Sequence, residues 1–94
     1  MATTATLKFE KITTASGDVY AAKFASTGAV VVEIERDKNS LVAVSANLEG
    51  MGEVPIDTFD NPYMANAIFE IDLPEGVQVT IKSTTEVKNA KMLK

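Results

Sequence analysis

Residues 67–82 read AIFEIDLPEGVQVTIK, and this stretch contains the pattern that decides the fold. Apolar side chains occupy every second position on both sides of the Pro-Glu-Gly triplet at 74–76. Such period-2 alternation is typical of a strand that buries one face and exposes the other. Pro fixes φ early in a turn and Gly permits unusual φ late in it. The stretch therefore predicts two strands separated by a turn.

The same alternation recurs in four further runs along the chain. Their apolar stripes are Leu7 and Phe9; Tyr20, Ala22 and Phe24; Val30, Val32 and Ile34; and Val42, Val44, Ala46 and Leu48. No helical segment of crossover length lies between the runs, which favours antiparallel pairing. We predict an all-β chain, an antiparallel β-sandwich or small barrel of six to eight short strands, in one domain over residues 1–94. The predicted core comprises Phe9, Phe24, Val32, Ile34, Val44, Phe69, Ile71, Val79 and Ile81.

Turn residues separate these strands. Ser16-Gly17-Asp18 divides the first two strands, and Ser26-Thr27-Gly28 predicts a tight hairpin because Gly28 suits a position with positive φ. Asp37-Lys38-Asn39-Ser40 predicts a hairpin closed by a four-residue loop.

Two segments break the alternation. Residues 49–65 contain Gly50, Gly52, Pro55 and Pro62, so we predict a long loop there, with a short strand as an option over Val54–Asp57. Residues 84–94 fit either a last strand or a weak helical stripe. We favour the strand, because the alternation at 77–83 leads straight into this tail and no capping box precedes it.

The composition excludes several classes of function. The chain has no Cys and no His, so it lacks the best nucleophile, the commonest general base and the usual zinc ligands. We therefore expect no catalytic residue, no cofactor and no metal. With nine basic and thirteen acidic residues, nucleic acid is not an expected partner. No apolar run is long enough to span a membrane, so we expect no membrane partner either.

One group of oxygen donors leaves a cation open as an alternative. Glu53, Asp57, Asp60 and Asn61 lie in the irregular segment, and calcium accepts such oxygens in flexible geometry. Their spacing is not that of an EF-hand. The competing interpretation is a set of turns in which Asp and Asn cap their own backbone.

The charges are distributed unevenly along the chain. Residues 39–81 contain seven acidic and no basic residues, whereas residues 82–94 contain four Lys and one Glu. Either the tail lies beside the acidic stretch in its own sandwich, or acidic surface and basic tail meet between copies. Apolar loop residues would then form the centre of an interface with Lys at its rim. The candidate interface residues are Val54, Ile56, Phe59, Tyr63, Met64, Lys88, Lys91 and Lys94.

The chain resembles the small β-sandwich auxiliary or decoration proteins of tailed-phage virions. The resemblance lies in a short chain without Cys, Trp or His, the Thr-rich start at Thr3, Thr4 and Thr6, and strand-turn-strand runs such as residues 67–77. It is one of style across the whole chain, so no functional residue carries over. It implies a non-enzymatic structural protein whose partners are its own copies or other virion components.

The alternative is a small ligand- or carbohydrate-binding β-sandwich module that uses the segment 49–65, where Tyr63 is the surface aromatic residue. The N-terminus lacks a basic region followed by a long apolar run, so we expect no signal peptide in this chain. The expected location is the virion, or the cytoplasm before assembly.

Overall fold

The computed structural model describes residues 4–37, 39–48, 50–61, 63 and 65–93. The all-β prediction is confirmed. The described residues form nine strands, one more than the upper end of the predicted range. They are β1 (Thr4–Thr6), β2 (Glu10–Thr14), β3 (Gly17–Ala25), β4 (Gly28–Glu35), β5 (Val42–Leu48), β6 (Gly52–Phe59), β7 (Asn66–Leu73), β8 (Gln78–Ser83) and β9 (Asn89–Leu93).

The strands form two antiparallel sheets. One sheet has the order β1-β9-β4-β7 and the other has the order β2-β3-β8-β5-β6. Four strand pairs are nested around the middle of the chain. The innermost pair is β5·β6, and outside it follow in turn β4·β7, β3·β8 and β1·β9. This is the strand order of a jelly roll, in which one long antiparallel ribbon is folded over into two sheets. Strand β2 is an addition at the outer edge of β3.

Two of the predicted hairpins are wrong because their flanking strands belong to different sheets. Residues 26–28 connect β3 to β4, and residues 37–40 connect β4 to β5, so both segments cross between the sheets. Turn residues predict a reversal of the chain, but they do not specify which strand becomes the neighbour. The turn at 15–16 does close a hairpin between β2 and β3, and Gly17 begins β3 at φ 122°.

Three boundaries also differ from the prediction. Leu7 and Phe9 lie between β1 and β2, where they pack half-buried against the core. Strand β6 occupies eight residues of the segment predicted as mainly loop. The tail forms a strand, as favoured, but that strand begins only at Asn89.

The core lies between the two sheets and contains most of the predicted residues. Val32, Ile34, Val44, Phe69, Ile71, Val79 and Ile81 are buried, whereas Phe9 and Phe24 are half-buried at its margin. Phe59 completes it with an edge-to-face contact to Phe69, at 6.2 Å between ring centroids. Each fully buried Val, Ile or Phe side chain of this core stabilises the fold by about 1.5–3 kcal/mol.

A buried arginine fastens the loops at one end of the sandwich. The Arg36 guanidinium donates hydrogen bonds to the backbone oxygens of Asp37 (3.1 Å), Ser40 (2.7 Å) and Asn61. It also lies 4.8 Å from the centre of the Phe59 ring. Arg36 thereby joins the 37–40 crossing to the segment that follows β6.

Candidate functional site

Each sheet buries one face against the other sheet and leaves one outer face, and the two outer faces differ in chemistry. The outer face of the four-stranded sheet carries exposed apolar side chains. That of the five-stranded sheet carries a shallow polar depression. These two surfaces are described in turn.

The first surface is called here the apolar face. At its centre are Val31 (37% exposed), Leu93 (39% exposed) and Ile68 (52% exposed). Leu93 of β9 lies opposite Val31 of the neighbouring strand β4. An open depression of about 450 Å³ lies beside Val31 and Leu93 and is lined in part by Ala29 and Asp72. Three large apolar side chains therefore share the solvent face of a sheet whose other face is already buried.

Acidic side chains surround the apolar centre. Glu70 lies opposite Val31, and Glu33 lies opposite Ile68 on one side and Lys91 on the other. Glu35 accepts a hydrogen bond of 2.9 Å from the Asn89 side chain. The acidic residues of this face are Glu33, Glu35, Glu70 and Asp72, and its basic residue is Lys91. The apolar face thus presents a negative rim.

The second surface is called here the polar trough. Its floor contains the small residues Ala21, Ser45 and Thr80, which are buried on the outer face of the five-stranded sheet. The trough has a volume of about 210 Å³, and its lining includes Ile12, Lys23, Asn47, Glu53, Gln78 and Lys82. Small floor residues between long neighbours create the depression.

A hydrogen-bonded ion pair crosses the polar trough. The Ser45 hydroxyl donates to Glu53 Oε1 over 2.6 Å, and Lys82 Nζ lies 3.1 Å from the same oxygen. The hydrogen bond from Ser45, followed by the contact with Lys82, lowers the pKa of Glu53 below its ordinary value. Glu53 is consequently held as a carboxylate acceptor.

The predicted interface residues do not form one surface. Val54 and Phe59 lie opposite Ala46 and Val42 on the inner face of their sheet, so they serve the core. Ile56 is 43% exposed at a β-bulge, and Tyr63 is 88% exposed in the segment between β6 and β7. Lys88 is exposed before β9, and Lys91 lies on the apolar face. Met64 and Lys94 lie outside the described residues.

Three of the four candidate cation ligands, Glu53, Asp57 and Asn61, are engaged in local contacts. Asp57 accepts a hydrogen bond from the backbone N–H of Thr58 (2.8 Å), and the Asn61 side chain accepts one from Tyr63 N–H (2.9 Å). Glu53 is engaged by Ser45 and Lys82. In the part of the chain that the structure describes, no three acidic side chains converge on a point where a metal ion could sit.

Sequence reasoning missed the apolar face, although the signal is present. Val31 and Ile68 occupy positions of their strands that the alternation assigns to solvent, and both are large apolar residues. A strand with apolar residues on both faces is expected where the sheet is covered on both sides. The sequence does not show that β4, β7 and β9 are neighbours in one sheet, and this follows only from the topology.

Comparison with known proteins gives a fold relationship. No protein-family model and no curated protein matches the sequence. The crystal structure of the Yersinia pseudotuberculosis-derived mitogen matches with a TM-score of 0.50 and 15% sequence identity, over 99% of this chain and 81% of that one. At this identity the likeness concerns the fold alone. Among the residues described here, no helix is long and apolar enough to cross a membrane.

Proposed function

We propose that this chain is a non-enzymatic structural protein that works by docking onto other protein components of a virion, as a capsid auxiliary or decoration protein does. The observation that carries the proposal is the apolar face, where Val31, Ile68 and Leu93 lie together on the outer side of one sheet. Exposed apolar clusters rimmed by polar residues mark protein interaction sites more often than other functions.

Two further properties support an assembly role. The jelly-roll strand order is common among viral capsid and lectin domains, which agrees with the proposal by analogy of fold. The domain is also small and has neither Cys nor His, so disulfides and zinc cannot reinforce it. A partner surface that covers the apolar face would add the missing stabilisation.

Charge indicates the kind of protein surface that fits. Among the described residues, the rim contains four carboxylates and one ammonium group, so a second copy docked face to face would bring like charges together. A partner with an apolar centre and a Lys- or Arg-rich rim would instead be attracted. We therefore assign the apolar face to another virion component of basic surface.

The test is whether the chain belongs to virions purified from the source of the sequence, and whether it docks there through the apolar face. We expect mass spectrometry to find it in gradient-purified particles, and stripped particles to rebind it. Val31→Lys should weaken rebinding by about tenfold or more, because it places a positive charge against a basic partner. Lys at position 31 faces Glu70, so the sheet itself should tolerate it.

The matched control is Ile12→Lys, because Ile12 is 40% exposed on the other sheet. It should rebind like the unmodified chain. Absence of the chain from purified particles would overturn the proposal, and so would equal rebinding by Val31→Lys and the unmodified protein.

A second candidate function rests on the polar trough. Its Lys23, Asn47 and Gln78 side chains supply ammonium and amide donors beside the Glu53 acceptor, a combination suited to a hydroxyl-rich ligand such as a carbohydrate. We propose this alternative for the outer face of the five-stranded sheet, to which the segment 49–65 contributes Glu53 of β6. A chain absent from particles that binds a glycan array, with loss of binding in Gln78→Ala, would establish this function in place of the first.

A further inference from the structure

The described part of the sandwich has four edge strands, and among them only β7 is both long and regular. Natural proteins blunt exposed sheet edges by shortening, bulges, prolines or charges. Strand β1 has three residues and β2 has five. Strand β6 contains Pro55 and a bulge at Ile56. Strand β7 has eight residues in unbroken register with β4 and contains neither Pro nor a bulge. Its edge protection consists of the acidic residues Glu70 and Asp72, which discourage acidic strands and leave the edge open to basic ones.

The backbone groups on the free side of β7 can be identified from one hydrogen bond. The N–H of Arg36 donates to the carbonyl oxygen of Ala65 over 2.9 Å, and this pair continues the β4·β7 register by one step. In an antiparallel ladder, hydrogen-bonded and non-hydrogen-bonded pairs alternate. The next hydrogen-bonded pairs along the ladder are therefore Ile34 with Ala67, Val32 with Phe69 and Val30 with Ile71.

The remaining β7 residues direct their N–H and C=O groups away from β4. These residues are Asn66, Ile68, Glu70 and Asp72. No other strand of the described chain pairs with β7. The same four residues carry their side chains on the apolar face, as the burial alternation along β7 shows. The free edge and the apolar face are thus continuous.

We propose that β7 accepts an extended segment of the partner protein as a fifth strand of the four-stranded sheet, and that this segment alternates apolar and basic residues. The inference rests on the proposed function and specifies its partner. Open edges take up strands through backbone hydrogen bonds, and cross-strand side chains select the sequence. Here Glu70 and Asp72 select Lys or Arg across the pair on the outer face, and the alternate apolar residues of the segment point to the inner face.

A second copy is the less suitable occupant. Pairing two β7 strands would place Glu70 and Asp72 of both copies on one ribbon, and carboxylates that close together destabilise cross-strand pairs. A basic strand removes this repulsion and neutralises the rim.

The probe is a blocked peptide of the same eight-residue length as β7 that alternates Lys and Val. We expect it to bind the full chain and to slow hydrogen exchange of the Ile68, Glu70 and Asp72 amides. A peptide that alternates Glu and Val, and a Lys-Val peptide with N-methylated backbone, should bind roughly tenfold more weakly or worse.

Two substitutions at one position separate backbone from side chain. Glu70→Pro removes an N–H that points away from β4, so no hydrogen bond to β4 is lost, and edge strands tolerate Pro at such positions. It should weaken peptide binding by about tenfold or more. Glu70→Ala removes only the carboxylate and should weaken binding by roughly threefold. A thermal melt of each variant confirms that the sandwich is intact.

Three outcomes would overturn strand addition: no binding of the Lys-Val peptide, binding without protection of those amides, or equal losses in Glu70→Pro and Glu70→Ala. If the chain rebinds virions through Val31 and shows one of these outcomes, the docking proposal stands and strand addition fails. If the chain is absent from virions, the docking proposal fails whatever the peptide does.

Discussion

At the scale of single residues, two polar side chains stand out because each holds together parts of the chain that are distant in sequence. Glu53 of β6 connects Ser45 of β5 with Lys82 of β8 on the floor and wall of the polar trough. Arg36 connects the segments at 37–40 and 60–61 beneath the Phe59 ring. The first contact is exposed to solvent and the second is buried, so their contributions to stability should differ in size.

Because of Glu53, the free energy of unfolding should depend on pH in the acid range. Its pKa is lower in the folded chain than the ordinary value of 4.5, so its contribution is present above pH 4.5 and is lost as the pH falls through the folded value. Because the group is exposed, the contribution should be at most about 1 kcal/mol. In urea unfolding, Glu53→Gln should differ in stability from the unmodified chain at pH 7, and the difference should shrink as the pH falls below 4.5.

The matched control for that series is Glu75→Gln, which removes an exposed carboxylate from the turn between β7 and β8. It should leave the shape of the pH profile unchanged. A Glu53→Gln profile parallel to that of the unmodified chain from pH 7 to pH 3 would contradict the assignment.

Arg36 should contribute far more to the stability of the fold than Glu53 does. Arg36→Ala would remove the guanidinium donor from the carbonyl oxygens of Ser40 and Asn61, whereas that of Asp37 would keep its hydrogen bonds from Ser40. We expect the free energy of unfolding to fall by about 2–4 kcal/mol. Arg36→Lys should recover less than half of that loss, since an ammonium group cannot reproduce the planar fork of a guanidinium. Denaturant unfolding of both variants measures these losses in the free energy of unfolding. If Arg36→Lys were as stable as the unmodified chain, the positive charge alone would account for the contribution of Arg36.

At the scale of elements, the position of β9 changes the meaning of the basic tail. Strand β9 lies between β1 and β4 inside the four-stranded sheet, with Lys91 opposite Glu33. Lys82, at the start of the basic region, pairs with Glu53 of the acidic stretch in the same molecule. These contacts correspond to the intramolecular alternative for the charge pattern.

Removal of residues 88–94 should therefore prevent folding rather than weaken association. The truncated chain would lose the ladders to both β1 and β4 and expose the core around Ala90 and Met92. Circular dichroism and a thermal melt should show loss of the cooperative transition. The full-length variant Lys88→Gln should fold normally, because Lys88 is exposed outside the strands. A truncated chain that still melts cooperatively would contradict this role of β9.

At the scale of the whole molecule, the jelly roll separates the two candidate surfaces onto opposite outer faces of one sandwich. The apolar face belongs to strands from both termini and the middle of the chain, whereas the polar trough belongs to the other sheet. Substitutions on one face and on the other should then be nearly additive, because they share no contacts. This separation allows Ile12→Lys to serve as a control for Val31→Lys.

The sequence by itself determined most of the strands, most of the core and the absence of the common catalytic side chains. Alternation is a local property, so Phe69, Ile71, Val79 and Ile81 could be assigned to the core from their own neighbours. Chain reversals were also local, since Pro and Gly restrict φ wherever they occur.

Only the tertiary structure decided which strands became neighbours, and through that the candidate sites. Whether β3 pairs with β4 or with β8 depends on packing between distant segments, which turn residues do not encode. The apolar face required β4, β7 and β9 to meet, and the ion pair of Glu53 required β6 and β8 to flank β5. The free edge of β7 exists for the same reason, because a strand becomes an edge only through the arrangement of all the others.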